Sequence, residues 1–313
     1  MEKNMARLDE IETFVAIIEE GSLSAAARRS GLALSAVSRR LKDLEARMGV
    51  MLLRRTTRSQ SLTEAGQEFH LRCRQILSDL DEAEASLRDK SGGLSGRIRM
   101  AAPVSFTALH LSGLLSDFLA AHPQVTLELD LSDQRLNLVE EGYDLALRIG
   151  RLEDSGLIAR RLTVIRHLPV AAPGLIARLG QPERPEDLAD FPALRYLSAR
   201  RRAAWRFRRP DGSDGQVSLK ARMLCNNGDV LVRSAVQGLG LCLEPTFVTA
   251  PAIAQGQLVP LFADHIWSDN AAYIVFAPGR VQPRRVRALI DFLAKALPDP
   301  PPWDETMAKA TRL

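Results

Sequence analysis

Between Gly21 and Gly49 the chain carries two short helical segments separated by a tight glycine turn, and this spacing restricts the fold more than any other feature. Ser22 is a good N-cap for an alanine-rich helix from Leu23 to Arg29. Ser30-Gly31 then turns the chain, and a helix from Leu34 to Met48 is closed by Gly49. Upstream, Leu8, Ile11, Phe14, Val15 and Ile18 recur at helical spacing and form one apolar stripe. The small side chains of Ala25, Ala26 and Ala27 allow helices to approach closely. Two short helices joined in this way are the helix-turn-helix signature.

Charge adds a function to the spacing. Residues 28–58 carry a net charge of +7, against +4 for all 313 residues, which is an electrostatic footprint for phosphate. On the second helix Ser35, Ala36, Arg39, Arg40 and Asp43 share the outward side, while Val37, Leu41 and Leu44 point inward. Arg39 and Arg40 are placed to reach guanine or phosphate in the major groove of double-stranded DNA. Val50 to Arg55 reads as a strand, Thr56 to Gln60 as a turn and Ser61-Leu62 as a returning strand, together a β-wing. Arg55 and Arg58 on that wing enter the adjacent minor groove or clamp its phosphates. Ser22, Ser38, Lys42, Arg54, Thr56 and Thr57 complete the candidate DNA-contacting set. A merely solvated basic face accounts for the charges but not for the helix-turn-helix spacing.

Thr63 caps a further helix that continues without Pro or Gly from Gln67 to Leu87. Its apolar positions Phe69, Cys73, Ile76, Leu80, Ala83 and Leu87 follow a heptad seam, which predicts pairing with the same helix of a second copy; the other reading is a helix lying on its own domain. Beyond a hinge at Asp89–Gly93 the pattern becomes alternating strands and helices, with strands at Ile98–Ala102, Val125–Leu131, Leu145–Ile149, Leu168–Ala171, Gly240–Leu243 and Tyr273–Phe276. Helices are predicted over Phe106–Ala121, Leu136–Glu141, Leu175–Leu179, Val230–Val236 and Arg284–Ala296. This is an α/β pattern with largely parallel sheets, long enough for two lobes. The expected organisation is a winged helix-turn-helix head at 6–63 (helix-turn-helix 23–42), a linker helix and hinge at 64–93, a regulatory part at 94–300, and a tail at 301–313. Lobe I covers 94–165 and 272–300, and lobe II covers 166–271.

Phe14-Val15-Ala16, Gly21-Ser22-Leu23-Ser24-Ala25-Ala26-Ala27, Ser35-Ala36-Val37-Ser38-Arg39-Arg40-Leu41, Leu44-Glu45, Arg55-Thr56-Thr57-Arg58 and Leu62-Thr63-Glu64-Ala65-Gly66 resemble the LysR-type transcriptional regulators. Tyr143 to Gly150 and Gly238-Leu239-Gly240 continue the resemblance more weakly. It implies a winged helix-turn-helix followed by a two-lobed effector domain similar to periplasmic binding proteins. It further implies a dimer or tetramer that binds an imperfect inverted repeat of double-stranded DNA, responds to a small inducer and works with RNA polymerase. Two positions depart from the family's pattern of a hydroxyl residue followed by Gln. Ala33 offers no N-cap oxygen, and Leu34 cannot make the bidentate adenine contact open to Gln. Leu53 replaces the usual Phe, a packing change.

In the regulatory part, Pro103, Val104, Ser105 and Phe106 lie at a strand-to-helix junction, where free N–H groups and the Ser105 hydroxyl suit an anion. Arg148 is a charge within an apolar strand and needs a partner, either a ligand anion or an internal carboxylate. Tyr196, Trp205 and Asn227 are weaker pocket candidates. A small anionic effector, such as an aromatic carboxylate, is therefore expected, with no other cofactor and no metal. Catalysis is disfavoured: Gly238-Leu239-Gly240 lacks the third glycine and helix of a dinucleotide site, and His70, His110, His122, His167 and His265 are scattered. A ligand-independent DNA binder would leave two-thirds of the chain unexplained. Cys73, Cys225 and Cys242 are neither a disulfide framework nor a zinc knuckle. With no secretory segment at the N-terminus and no run of about 18 apolar residues, a cytoplasmic protein without membrane contact is expected.

Overall fold

The structure, a computed structural model, describes residues 2–55, 60–88, 93–134, 137–138, 141–151, 156–197, 204–268, 270–278 and 282–305. The chain forms two compact units, one of residues 1–97 with 137–143 and one of residues 98–136 with 144–313.

The first unit contains α1 (Glu2–Glu19), α2 (Leu23–Ser30), α3 (Leu34–Met48), the antiparallel pair β1 (Leu53–Arg55) and β2 (Gln60–Leu62), and α4 (Glu64–Arg88). Ser22 caps α2 by accepting a hydrogen bond from the Ala25 N–H at 3.1 Å. Gly31 and Gly49 end α2 and α3 in the left-handed conformation, φ 65° and 70°, as the turn chemistry requires. Ala33, at the N-cap of α3, makes no side-chain cap bond. Phe14, Ile17, Ala26, Val37, Leu41, Leu44 and Leu52 are buried together as one core. The wing begins later than Val50, because Val50 and Met51 are exposed and only Leu52 and Leu53 turn inward. Its tip at 56–59, with Thr56, Thr57 and Arg58, lies outside the described residues.

The second unit holds two five-stranded sheets. Its elements begin with β3 (Ser95–Ala102), α5 (Val104–Phe106), a π-helical turn (Thr107–Leu111), α6 (Ser112–Ala121), β4 (Gln124–Leu131), β5 (Leu145–Gly150) and β6 (Ile158–Ile165). There follow β7 (His167–Ala171), α7 (Pro173–Leu179), a 3-10 turn (Pro185–Asp190), β8 (Ala193–Tyr196), β9 (Ala204–Arg208), β10 (Asp214–Ser218), β11 (Ala221–Cys225) and α8 (Gly228–Val236). Last come β12 (Leu241–Pro245), α9 (Thr246–Ala254), β13 (Val259–Pro260), β14 (Asn270–Phe276) and α10 (Arg284–Ala296). One sheet, lobe I, runs β4-β3-β5-β14-β6, and the other, lobe II, runs β11-β8-β12-β7-β13.

The sheets are mixed, which corrects the expectation of largely parallel ones. β3–β5, β8–β11 and β8–β12 are parallel, while β14 runs antiparallel to both β5 and β6, and β7 antiparallel to both β12 and β13. The physical reason is that β7 and β14 enter their sheets on returns between the lobes, without the helical crossover that enforces a parallel neighbour. By length and mean hydropathy (1.3 over 18 residues) the helix Val104–Ala121 would pass as a membrane span, but its Phe106, Leu111, Leu115 and Phe118 are buried inside this unit. Half of the predicted helix at 136–141 falls outside the described residues. The chain beyond Pro300 begins as packed structure rather than as a free tail: Trp303 packs edge-on against Phe106 and Phe247 and tilted against His110, and Asp304 accepts from the Thr246 hydroxyl at 2.7 Å.

Candidate DNA-binding and effector sites

Ser35, Arg39 and Lys42 are exposed on the side of α3 opposite its buried Val37, Leu41 and Leu44, with Ala36 and Ser38 half-buried beside them. Leu34, at the helix start, is 50% exposed. Arg40 does not belong to this face. Its Nη2 donates to Asp9 at 2.8 Å and its Nη1 to the Thr13 hydroxyl at 3.3 Å, so it ties α3 to α1. The correction follows from helix geometry: one residue beyond Arg39 is a rotation of about 100°, which carries Arg40 toward α1. Two further cations are engaged in the same way, Arg29 with Glu19 and Glu20, and Arg47 with Glu10. Arg28, Arg39, Lys42 and Arg54 are exposed as well, so among the described side chains the exposed positive charge is not the sum of all nine cations. The Ser22 hydroxyl oxygen is already an N-cap.

Sequence reasoning passed over the group that holds the wing to α3. Glu45 is buried, and one carboxylate oxygen accepts the N–H groups of Leu52 at 2.8 Å and Leu53 at 3.2 Å. The signal was present, an acidic residue at the inward edge of the helix beside Leu44. Thr63 completes the junction: its hydroxyl donates to the Met51 carbonyl at 2.8 Å and accepts from the Gly66 N–H at 2.9 Å. A Cβ at Gly66 would sit 2.0 Å from the Leu52 carbonyl oxygen, so α4 can approach the wing only with glycine there.

The heptad seam of α4 divides. Phe69 stacks on Phe14 (5.7 Å between ring centroids), and Cys73 is fully buried in the core of its own unit, joined by Leu77. Phe69 and Cys73 are therefore core residues, which corrects their reading as partner-facing; burial also pushes the Cys73 thiol up to about 12. Ile76 is 48% exposed and Leu80 half-buried on the same face of the helix. The side chains of Ala83 and Leu87 lie outside the described ones, as does that of Arg55.

At the junction of the lobes, Pro103 opens α5 and Ser105 is buried. The anion expected at this helix start is supplied by the chain itself. The Val104 N–H donates to Asp133 at 3.3 Å, and the Ser105 hydroxyl donates to Asp229 from the first turn of α8 in the other lobe. Tyr196, at the end of β8, lies within hydrogen-bonding reach of the same Asp133; burial and these acidic neighbours push its phenol well above the ordinary range. Asn227 caps α8, accepting from the Val230 N–H at 3.1 Å. Beneath that helix start, Glu244 on β12 is buried beside Asp229, and burial first, then the Asp229 charge, raises its carboxyl to about 8. Asp133, Asp229 and Glu244 were missed because they lie far apart in sequence, in no motif.

Two other candidates are placed elsewhere. Trp205 packs with Phe207, Val217 and Trp267 in the lobe II core, and Phe106 sits within the Phe247–Trp303 aromatic cluster. Both are corrections: each ring finds apolar surface on every side, and Trp205 gives no evidence for an aromatic ligand. Arg148 lies half-buried on β5 opposite Tyr273 and has a partner of its own. A cavity of about 350 Å³ on lobe II is lined by Pro173, Leu175, Arg178, Gln237 and Gln257, and by none of the predicted effector residues.

Residues 8–67 match the model of the bacterial regulatory helix-turn-helix protein, lysR family, and residues 91–298 match the LysR substrate binding domain. The transcriptional regulator PtxR of Pseudomonas aeruginosa is 35% identical over 94% of this chain and 94% of its own. Among solved structures, CrgA of Neisseria meningitidis aligns at 31% identity and TM-score 0.58 over 92% of this chain and 97% of that one. The Vibrio cholerae virulence activator AphB aligns at 27% and 0.59, over 92% and 98%. With an exposed basic recognition face on a winged helix-turn-helix and a two-lobed second unit matched along its length, the chain belongs to the LysR family of DNA-binding transcriptional regulators, which carry a C-terminal effector-binding domain.

Proposed function

We propose that this protein regulates transcription by inserting the N-terminal half of α3 into the major groove, with Ser35, Ser38, Arg39 and Lys42 toward the DNA and the wing, including Arg54 and Arg55, along the flanking backbone. The carrying observation is the exposed polar and basic stripe of α3 opposite fully buried Val37, Leu41 and Leu44. It acts as a dimer or tetramer on an imperfect inverted repeat, with Ile76 and Leu80 of α4 toward the partner helix. Head, linker and regulatory part divide at about 63 and 93. The effector occupies the lobe junction around Ser105, Tyr196 and Asp229, where binding must rearrange the Ser105–Asp229 bond and so favour one lobe arrangement over another. The protein works in the cytoplasm, on DNA and beside RNA polymerase, as a regulator without turnover; the functions named for its relatives support this reading.

Selection from a random duplex library by the full-length protein tests the proposal. An enriched inverted repeat, bound more weakly by Arg39→Ala, is the expected result, and recovery of no preferred sequence overturns it. Footprinting on that repeat with and without added metabolites then tests the switch. The protected length should change with the active compound and should respond less in Ser105→Ala.

A further inference from the structure

We propose that the effector is recognised through a positively charged nitrogen, an ammonium or guanidinium group, seated among Asp133, Asp229 and Glu244 at the lobe junction. This rests on the reading of that junction as the effector site and adds the charge of the occupant. The three carboxylates come from separate elements: Asp133 follows β4, Asp229 lies in the first turn of α8, and Glu244 is on β12. Two of them have donors, Val104 N–H for Asp133 and the Ser105 hydroxyl for Asp229. Glu244 is different. It is 2% exposed, its Oε1 is buried with no hydrogen-bond partner among the described residues, and its Oε2 lies so close to Gly228 that a Cβ there would come within 2.7 Å.

A buried carboxyl oxygen without a donor is costly, so a ligand that brings an N–H to it gains what the empty protein lacks. The titratable groups that bear on Glu244 are Asp229 from α8, Tyr196 from β8 and Cys242 on its own strand, all of them acids. An anion would meet Asp133 and Asp229 at short range, where like charge repels it. Arg148 already has a partner. A divalent metal is the other occupant that carboxylates invite, but among the described residues no group of three or more His, Cys, Asp or Glu is arranged to hold one. Because burial raises the Glu244 carboxyl to about 8, a bound cation would expel its proton, so affinity should rise with pH.

Calorimetry on the full-length protein with putrescine, agmatine and arginine, against benzoate, glutarate and Mg²⁺, tests this. At least one of the three cationic probes should bind, with affinity rising about tenfold between pH 7 and 8.5 and a proton released to the buffer. Asp229→Asn should weaken that binding at least about tenfold, and the isosteric Glu244→Gln should remove its pH dependence and proton release. Failure of all three cationic probes, binding by Mg²⁺ alone, or cation binding that neither variant changes overturns the proposal. Binding of benzoate or glutarate alone, weakened by Ser105→Ala, would overturn the charge assignment and leave the effector site standing. Binding indifferent to Ser105→Ala, Asp229→Asn and Glu244→Gln alike would overturn the site itself.

Discussion

Glu45 shows how a single side chain can fix two elements at once. Its buried carboxylate accepts the N–H groups of Leu52 and Leu53, donors that α3 and the wing cannot otherwise satisfy at that turn. Glu45→Ala would leave two buried N–H groups without an acceptor, each worth about 1–3 kcal/mol, and should lower stability in urea unfolding by about 2 kcal/mol or more. The same accounting separates two neighbouring arginines that look equivalent in the sequence. Arg39 is exposed on the α3 face, whereas Arg40 is held by Asp9 and Thr13. Arg39→Ala should cost about 1–3 kcal/mol at one base position if it reads a base, or flatten the salt slope of binding by about 0.9 if it holds a phosphate. Arg40→Ala should leave both specificity and salt slope nearly unchanged and lower stability by up to about 1 kcal/mol, since its ion pair is only half-buried. Binding to the selected repeat across a salt series, with thermal melts in parallel, distinguishes the two.

At the scale of elements, the single apolar face of α4 meets two environments. Phe69, Cys73 and Leu77 anchor the helix to its own core, whereas Ile76, on nearly the same side of the helix, is exposed and Leu80 is half-buried. Ile76→Asp with Leu80→Asp should therefore leave the head folded, with a thermal midpoint within a few degrees of the parent. If those residues pair two copies, the full-length variant should sediment at lower mass and bind the inverted repeat at least about tenfold more weakly. An unchanged mass would place the partner contact elsewhere. The helices of the head were legible because their evidence is local, in Ser22, Gly31, Gly49 and the period of Val37, Leu41 and Leu44. The sheets were not, since β14 reaches its neighbours β5 and β6 from more than a hundred residues away, and its antiparallel sense depends on that return. Helix α9 was hidden by its composition, with Pro251 inside it, and its burial on nearly every side removes the amphipathic period. The effector region was legible only in part: Ser105 stood at a recognisable helix start, but Asp229, which accepts its hydroxyl, and Asp133, which accepts the Val104 N–H, come from other segments of the chain.

Within the second unit as a whole, the lobes are joined by Ser105 to Asp229, by Tyr196 near Asp133, and by the segment after α10, whose Trp303 lies between Phe106 of one lobe and Phe247 of the other. Burial of ionisable groups at and near this seam makes its stability depend on pH from both sides. His167, at the start of β7, is pushed down to about 4 by burial, so the folded protein favours its neutral ring. That contribution is complete above the ordinary 6.5 and is lost as pH falls toward about 4. Glu244 has the opposite sense. Its carboxyl is raised from 4.5 to about 8, so its contribution is complete below 4.5 and is lost as pH climbs through about 8, where a buried charge must form beside Asp229. The effector-free protein should thus lose roughly 2–3 kcal/mol of stability between pH 6 and 9 from Glu244 alone. Glu244→Gln keeps the shape of the side chain and cannot ionise, so the alkaline fall should flatten in that variant while the acid limb set by His167 stays in place. Thermal melts of both proteins across pH 4 to 9 provide the check. An alkaline limb that is the same with and without the Glu244 carboxyl would mean that this acid is already ionised in the folded protein, stabilised by a donor at Oε1.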